Sequence, residues 1–205
     1  MVTGKIFISY RREESAPSAL GIGQYLEKEF GRRNVFIDID MHAGAKFPLV
    51  LEERLATCKV LLALIGPRWA SIKDEDGNRR LDDPSDWVRL EIARALNRGI
   101  TVIPVRVNGG ELPKKALLPP DIQGLLDHQA TTVSIQGFRN EMAGLTRDIR
   151  AIPDQRRGVR NKIVGSLLGV LLVAALTYLG WLISRNFDQL YFRQLESKHP
   201  VLNGH

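Results

Sequence analysis

The chain has 205 residues, 29 Lys and Arg against 23 Asp and Glu, a formal charge of +6 and a single cysteine. That length holds one ordinary domain and an appendage, and the lone thiol, Cys58, excludes an intrachain disulfide and every cysteine-based zinc spacing. A basic balance suggests nucleic acid, anionic lipid or a phosphorylated ligand as partner. Acids and bases are mixed through most of the chain, however, which argues against nucleic acid, and the densest basic cluster (Arg156, Arg157, Arg160, Lys162) stands directly before an apolar run.

In chain order, "KIFISY" predicts a first strand, Pro17 to Phe30 a helix closed by Gly31, and "NVFIDI" a second strand. Phe47 to Ala56 is again helical, and "VLLALIG" is a buried strand with Cys58 as a small buried thiol beside it. The stretch "SDWVRLEIARAL" predicts a helix with Asp83 as N-cap, Pro84 at its first position and Gly99 just past its end. "ITVIPVRV" and "TTVSI" are strands, and Phe138 to about Ile152 is a closing helix. Strand–helix alternation of this kind predicts an α/β fold: a parallel sheet with helices on both faces, over residues 1–153.

Residues 154–162 form a basic linker. Ile163 to Ile183 follows with 21 uncharged residues, the length a helix needs to cross a bilayer. Tyr178 and Trp181 lie near its end, as interfacial aromatics do. Four basic residues precede this run closely and only Arg185 follows. The charge asymmetry predicts a single-pass protein with its N-terminal domain in the cytoplasm and residues 184–205 as a short tail on the other side. The N-terminus lacks a signal peptide's apolar core, in keeping with that orientation. Gly165 and Gly169 have the spacing that lets two membrane helices approach.

In open parallel sheets, ligands gather beyond the carboxyl ends of the strands. That rule selects Tyr10, Arg11 and Arg12 after the first strand, Asp38, Asp40 and "MHAGAKF" after the second, and Gly66 to Trp69 after the third. Several chemistries are absent: no G-x-G-x-x-G follows the first strand, there is no phosphate-binding P-loop sequence, and no nucleophile elbow. His42, His128, His199 and His205 are too scattered to pair as metal ligands. In the Ser85–Leu96 helix, Val88, Ile92, Ala95 and Leu96 share the face expected to meet the sheet. Glu91 falls on the flank of that face, one turn after Trp87, with Arg94 three residues on as a possible ion-pair partner.

Taken together and in order, "IFISYRR", "VFIDID…AGAKF", "VLLALIGPRW", "DWVRLEIARAL" and "ITVIPV" resemble a TIR (Toll/interleukin-1 receptor) domain across roughly residues 4 to 151. Through "ISYRR" and Trp87-x-x-x-Glu91 the nearer likeness is to NAD-cleaving TIR domains, bacterial ones and that of the animal protein that executes axon degeneration. The resemblance implies a flavodoxin-like sheet of five parallel strands. It implies NAD⁺ as substrate rather than cofactor, no metal, and Glu91 as the catalytic carboxylate. Tyr10, Phe36 and Trp87 would wall the pocket, and Arg11 and Arg12 would face the pyrophosphate or a second TIR domain. The loop from Asp40 through Gly44 and Lys46 to Phe47 would be the BB loop, which in the family gates the site and mediates self-association. A membrane-anchored NAD⁺ glycohydrolase acting in defence or cell death through homo-oligomerisation is the leading expectation. A non-catalytic adaptor that signals through TIR–TIR contact is the alternative.

Overall fold

The computed structural model describes residues 4–37, 47–153, 175–179 and 181. The chain divides into two compact units, Met1–Asp154 and Gln155–His205. In the first, five strands run β1 (Lys5–Ser9), β2 (Val35–Ile37), β3 (Cys58–Ile65), β4 (Thr101–Val107) and β5 (Thr131–Val133). They form one parallel sheet, as the strand–helix alternation predicts, in the order β2-β1-β3-β4-β5.

The helices are α1 (Arg12–Phe30), α2 (Phe47–Leu55), α3 (Trp87–Asn97) and α4 (Phe138–Ala151), with a 3-10 helix, Pro120–Asp127, in the β4–β5 connection. The chain steps from β1 outward to β2, then crosses back to β3 and continues the other way. With right-handed crossovers this reversal puts successive connections on opposite faces. One core therefore joins α1 and α4 to the sheet, through Ile8, Ile22, Leu26, Leu62, Val105, Leu145 and their neighbours. The other joins α2, α3 and the 3-10 helix to it, through Phe7, Leu51, Leu61, Trp69, Val88, Ile92 and Ile122. The reversal lies between β1 and β3, and in open parallel sheets ligands gather beyond the strand ends at such a point.

Several boundaries differ from those expected. Helix α1 begins at Arg12, with Pro17 inside it. The proline forfeits one backbone bond, but Glu13 and Glu14 favour the added turn by facing the positive end of the helix dipole. Helix α3 begins at Trp87 rather than near Pro84, and its N-cap is Asp86, whose Oδ1 accepts from Arg89 N at 3.0 Å. Asp83 instead accepts from Ser85 N and Oγ, and Asp86 N closes a turn onto the Asp83 carbonyl. Pro84 thus serves a turn, where its fixed φ is equally suited. The far end is as read. Gly99 has φ +67, and Gly99 N and Ile100 N donate to the Leu96 and Ala95 carbonyls in a Schellman motif. Strand β5 stops at Val133, leaving Ile135 86% exposed. Residues 38–39 of the expected second strand lie outside the described residues.

No helix among the described residues is long and apolar enough to cross a membrane. Most of the apolar run 163–183, with Gly165 and Gly169, lies outside them. Its described part, 175–179 and 181, is helical, with Leu176, Tyr178, Leu179 and Trp181 exposed and the Tyr178 and Trp181 rings stacked at 6.0 Å.

Candidate functional site

Alternation along β1 sorts the residues at its end. Ile6, Ile8 and Tyr10 belong to the α1–α4 core, whereas Phe7 belongs to the α3 core and Ser9 and Arg11 continue its side. Tyr10 is buried in the opposite core from α3, so it does not join Glu91 at a common wall. Phe36, paired in register with Phe7, packs on the α3 side. Its ring, however, lies beneath the Lys5 ammonium at 4.5 Å and the Arg54 guanidinium at 5.5 Å. Lys5 opens β1 and Arg54 lies in the last turn of α2, so Phe36 is engaged toward the amino ends of the strands.

Glu91 is not on the flank of its helix. It is 1% exposed, and with Val88, Ile92 and Ala95 it completes the buried stripe at positions i, i+3, i+4 and i+7. Leu96, expected in that stripe, is only half-buried. The two arginines after Glu91 reach another carboxylate: Arg94 Nε lies 3.5 Å from Glu52 Oε1, and Arg98 Nη2 bonds Glu52 Oε2. Trp87, the first residue of α3, stands 37% exposed.

Arg11 is equally enclosed. Its Nη1 donates to Asp86 Oδ2 at 2.5 Å, with the two side chains 1% and 2% exposed. Arg80 Nε approaches the same oxygen at 3.5 Å and its Nη1 donates to Glu13 Oε1 at 2.6 Å. Burial works to raise the Glu13 carboxyl, but its backbone hydrogen bond and the Arg80 charge outweigh it and hold the group below its ordinary value. Glu14 accepts from Arg68 N at 2.5 Å. Gly66 makes that approach possible, since a Cβ there would lie 2.6 Å from the Glu14 carboxylate. Arg12, by contrast, is exposed at the start of α1.

Buried polar atoms nearly always find partners in native proteins. Here Ser9 Oγ, Arg11 Nε and Nη2, Glu14 Oε2, Ser15 Oγ and Trp69 Nε1 have no hydrogen-bond partner among the described residues. These lie at or just beyond the carboxyl ends of β1 and β3, while Arg94 Nη1, Arg106 Nε and Thr146 Oγ1, elsewhere in the domain, also lack partners among the described residues. The strand-end rule does not single out Asp86, Ser9 or Glu14. Asp83 rather than Asp86 was expected as the cap, and no local pattern marks Asp86 as a buried ion partner, because Arg11 is 75 positions away. The segment from Asp40 through Gly44 to Lys46 lies outside the described residues, and Phe47 opens α2. No group of three His, Cys, Asp or Glu among the described residues could hold a metal ion.

A family model described as "TIR domain" matches residues 6–143. The Drosophila melanogaster protein "NAD(+) hydrolase sarm1" is 28% identical over 123 residues, covering 58% of this chain and 8% of that protein, so the chain spans under a tenth of that relative. Among solved structures, the TIR domains of the activated Roq1 resistosome align with 71% of this chain and 99% of theirs, at 11% identity and a TM-score of 0.51, a likeness of fold. A metazoan TIR-STING receptor from C. gigas is 20% identical, with 74% of this chain and 40% of that one covered, at a TM-score of 0.47. The matched family model takes in more than half the chain and all five strands of the sheet: the chain belongs to the TIR-domain family.

Proposed function

We propose that this TIR domain cleaves NAD⁺ at the bond between nicotinamide and ribose, with Glu91 as the reacting carboxylate. The observation that carries the reading is the burial of Glu91 within the apolar stripe of α3, where an aliphatic side chain would be cheaper. A carboxylate placed there at the cost of desolvation is a functional-site candidate, and the partial likeness to an NAD(+) hydrolase supports NAD⁺ as the substrate.

The chemistry needs little else. Nicotinamide in NAD⁺ carries a positive charge. When its bond to the ribose C1′ breaks, the electron pair goes to the ring and the leaving group departs neutral, so no acid has to protonate it. The demand is to stabilise the oxocarbenium-like ribose and orient its hydroxyls, and one enclosed carboxylate does both. Water then attacks C1′ and releases a proton, giving ADP-ribose; attack by the adenine ring gives a cyclic isomer instead. Trp87 offers a partly exposed aromatic face, and Arg12 an exposed cation where α1 begins for the pyrophosphate.

Self-association of TIR domains and anchoring by residues 163–183 complete the proposal, with the TIR domain in the cytoplasm. Tethering raises local concentration, and Gly165 and Gly169 would let the anchoring helices pair. Two experiments test it. The full chain clustered in liposomes should release nicotinamide from NAD⁺, and a chain ending at residue 153 should stay soluble and turn over more slowly. No release by the clustered chain leaves the adaptor reading. Replacing Gly165 and Gly169 with Ile should weaken crosslinking in membranes; unchanged crosslinking removes the pairing.

A further inference from the structure

Three contacts run from the start of α1 to the long connection between β3 and α3: Glu14 to Arg68 N, Glu13 to Arg80, and Arg11 to Asp86. The last is the most enclosed and ends on the residue that caps α3. Asp86 has two separate tasks. Its Oδ1 accepts from Arg89 N, which fixes the first turn of the helix, while its Oδ2 takes the Arg11 proton donor. Leu90 N bonds the Asp86 carbonyl, and Glu91 follows directly.

The pair is a poor device for stability alone. Burying two charges costs more than their attraction usually returns, and an apolar pair of similar volume is often as stable or more so. Here the cost is raised further, since Arg11 Nε and Nη2 have no partner among the described residues. What a buried, directional pair does supply is register. An apolar contact tolerates sliding; a 2.5 Å bond between a guanidinium on the end of β1 and the cap of α3 does not.

We propose that Arg11 is a positioning residue: through Asp86 it fixes the first turn of α3 against the end of β1, and so sets where Glu91 stands. This rests on the NAD⁺-cleaving reading for its catalytic consequence, but not for the structural one. Arg11 then acts through the helix rather than by touching substrate.

Asp86→Asn keeps an equally good N-cap and removes the charge; Arg11→Met removes the other; the double variant removes both without stranding either. In full chain clustered in liposomes, each single change should lower kcat roughly 100-fold, the scale of an ångström-sized misplacement, with KM within about threefold. The double variant should melt at or above the singles and still turn over roughly 30-fold or more below wild type. Amide exchange at Leu90 and Glu91 should be faster in all three. Recovery of kcat along with melting temperature would make the pair merely structural and overturn the proposal. So would a raised KM at unchanged kcat in Arg11→Met, which would put Arg11 on the substrate. If wild type releases no nicotinamide, the NAD⁺ reading fails, and exchange alone decides: unchanged protection at Leu90 and Glu91 in the double variant sinks the positioning role, and faster exchange upholds it.

Discussion

The two faces of the sheet both bury charge, but at opposite ends and for different ends. Toward α4 the buried cation is Lys59, near the amino end of β3, and its Nζ donates to the Ile149 carbonyl at 2.7 Å in the last turn of α4. A cation at a helix C-terminus answers the dipole and an otherwise orphaned carbonyl, which is a structural task. Toward α3 the buried charges are Arg11, Asp86 and Glu91, near the carboxyl ends of β1 and β3, in company with polar atoms that lack partners among the described residues. The first arrangement is closed and completes a helix. The second lies near the strand ends where the order of the sheet reverses.

Perturbing the two faces separately should sharpen that contrast. The largest stability loss should come from the α4 face. Leu62→Ala deletes a fully buried side chain there and should cost about 2–5 kcal/mol by denaturant unfolding, with nicotinamide release per folded molecule unchanged. Lys59→Met should cost about 1–3 kcal/mol, since it strands a buried carbonyl, and again leave turnover intact. If turnover fell with either, the two faces would not be functionally separate. Phe36→Leu should be milder still, about 0.5–1 kcal/mol for the lost cation–π contacts. Unaltered KM for NAD⁺ would confirm that Phe36 lies away from the site, and a raised KM would return it to the pocket.

The smallest effect is on pH dependence. Glu13 is held below its ordinary value, as are Asp82, chiefly by its hydrogen bond from Arg79, and Asp83, chiefly by the Ser85 backbone donor. Carboxyls depressed on folding contribute stability that is complete above their unfolded values of 4.5 and 3.8 and is lost as pH falls through the lower folded values. Urea midpoints should therefore be flat from neutrality to about pH 5 and decline below it. In Glu13→Gln the decline should be shallower; an unchanged slope would remove Glu13 from the account.

The strands, the parallel sheet and the end of α3 were legible because each rests on local chemistry: β-branched runs, a glycine after a helix, alternation with helical periods. The start of α3 was not, because Asp83 and Asp86 are both good caps and only the turn around Pro84 decides between them. Glu91 was legible as a candidate but not as a buried one, since helical periodicity places it at the margin of the apolar stripe and the sheet above decides how wide that stripe is. The packing of Tyr10 and Phe36 was not legible for a simpler reason. Proximity to a strand end does not say which side a residue takes. Period-2 alternation carries Tyr10 to the α4 core, while Lys5 and Arg54 draw the Phe36 ring toward the other end of the strands.

The central claim is that the buried carboxylate on α3 performs the chemistry. The direct measurement is nicotinamide release from NAD⁺ by the clustered full chain, wild type beside Glu91→Gln, an isosteric change that keeps the volume and removes the charge. Wild type should release nicotinamide steadily, and the variant at least roughly 100-fold more slowly per folded molecule. Equal release by the two proteins would contradict the claim.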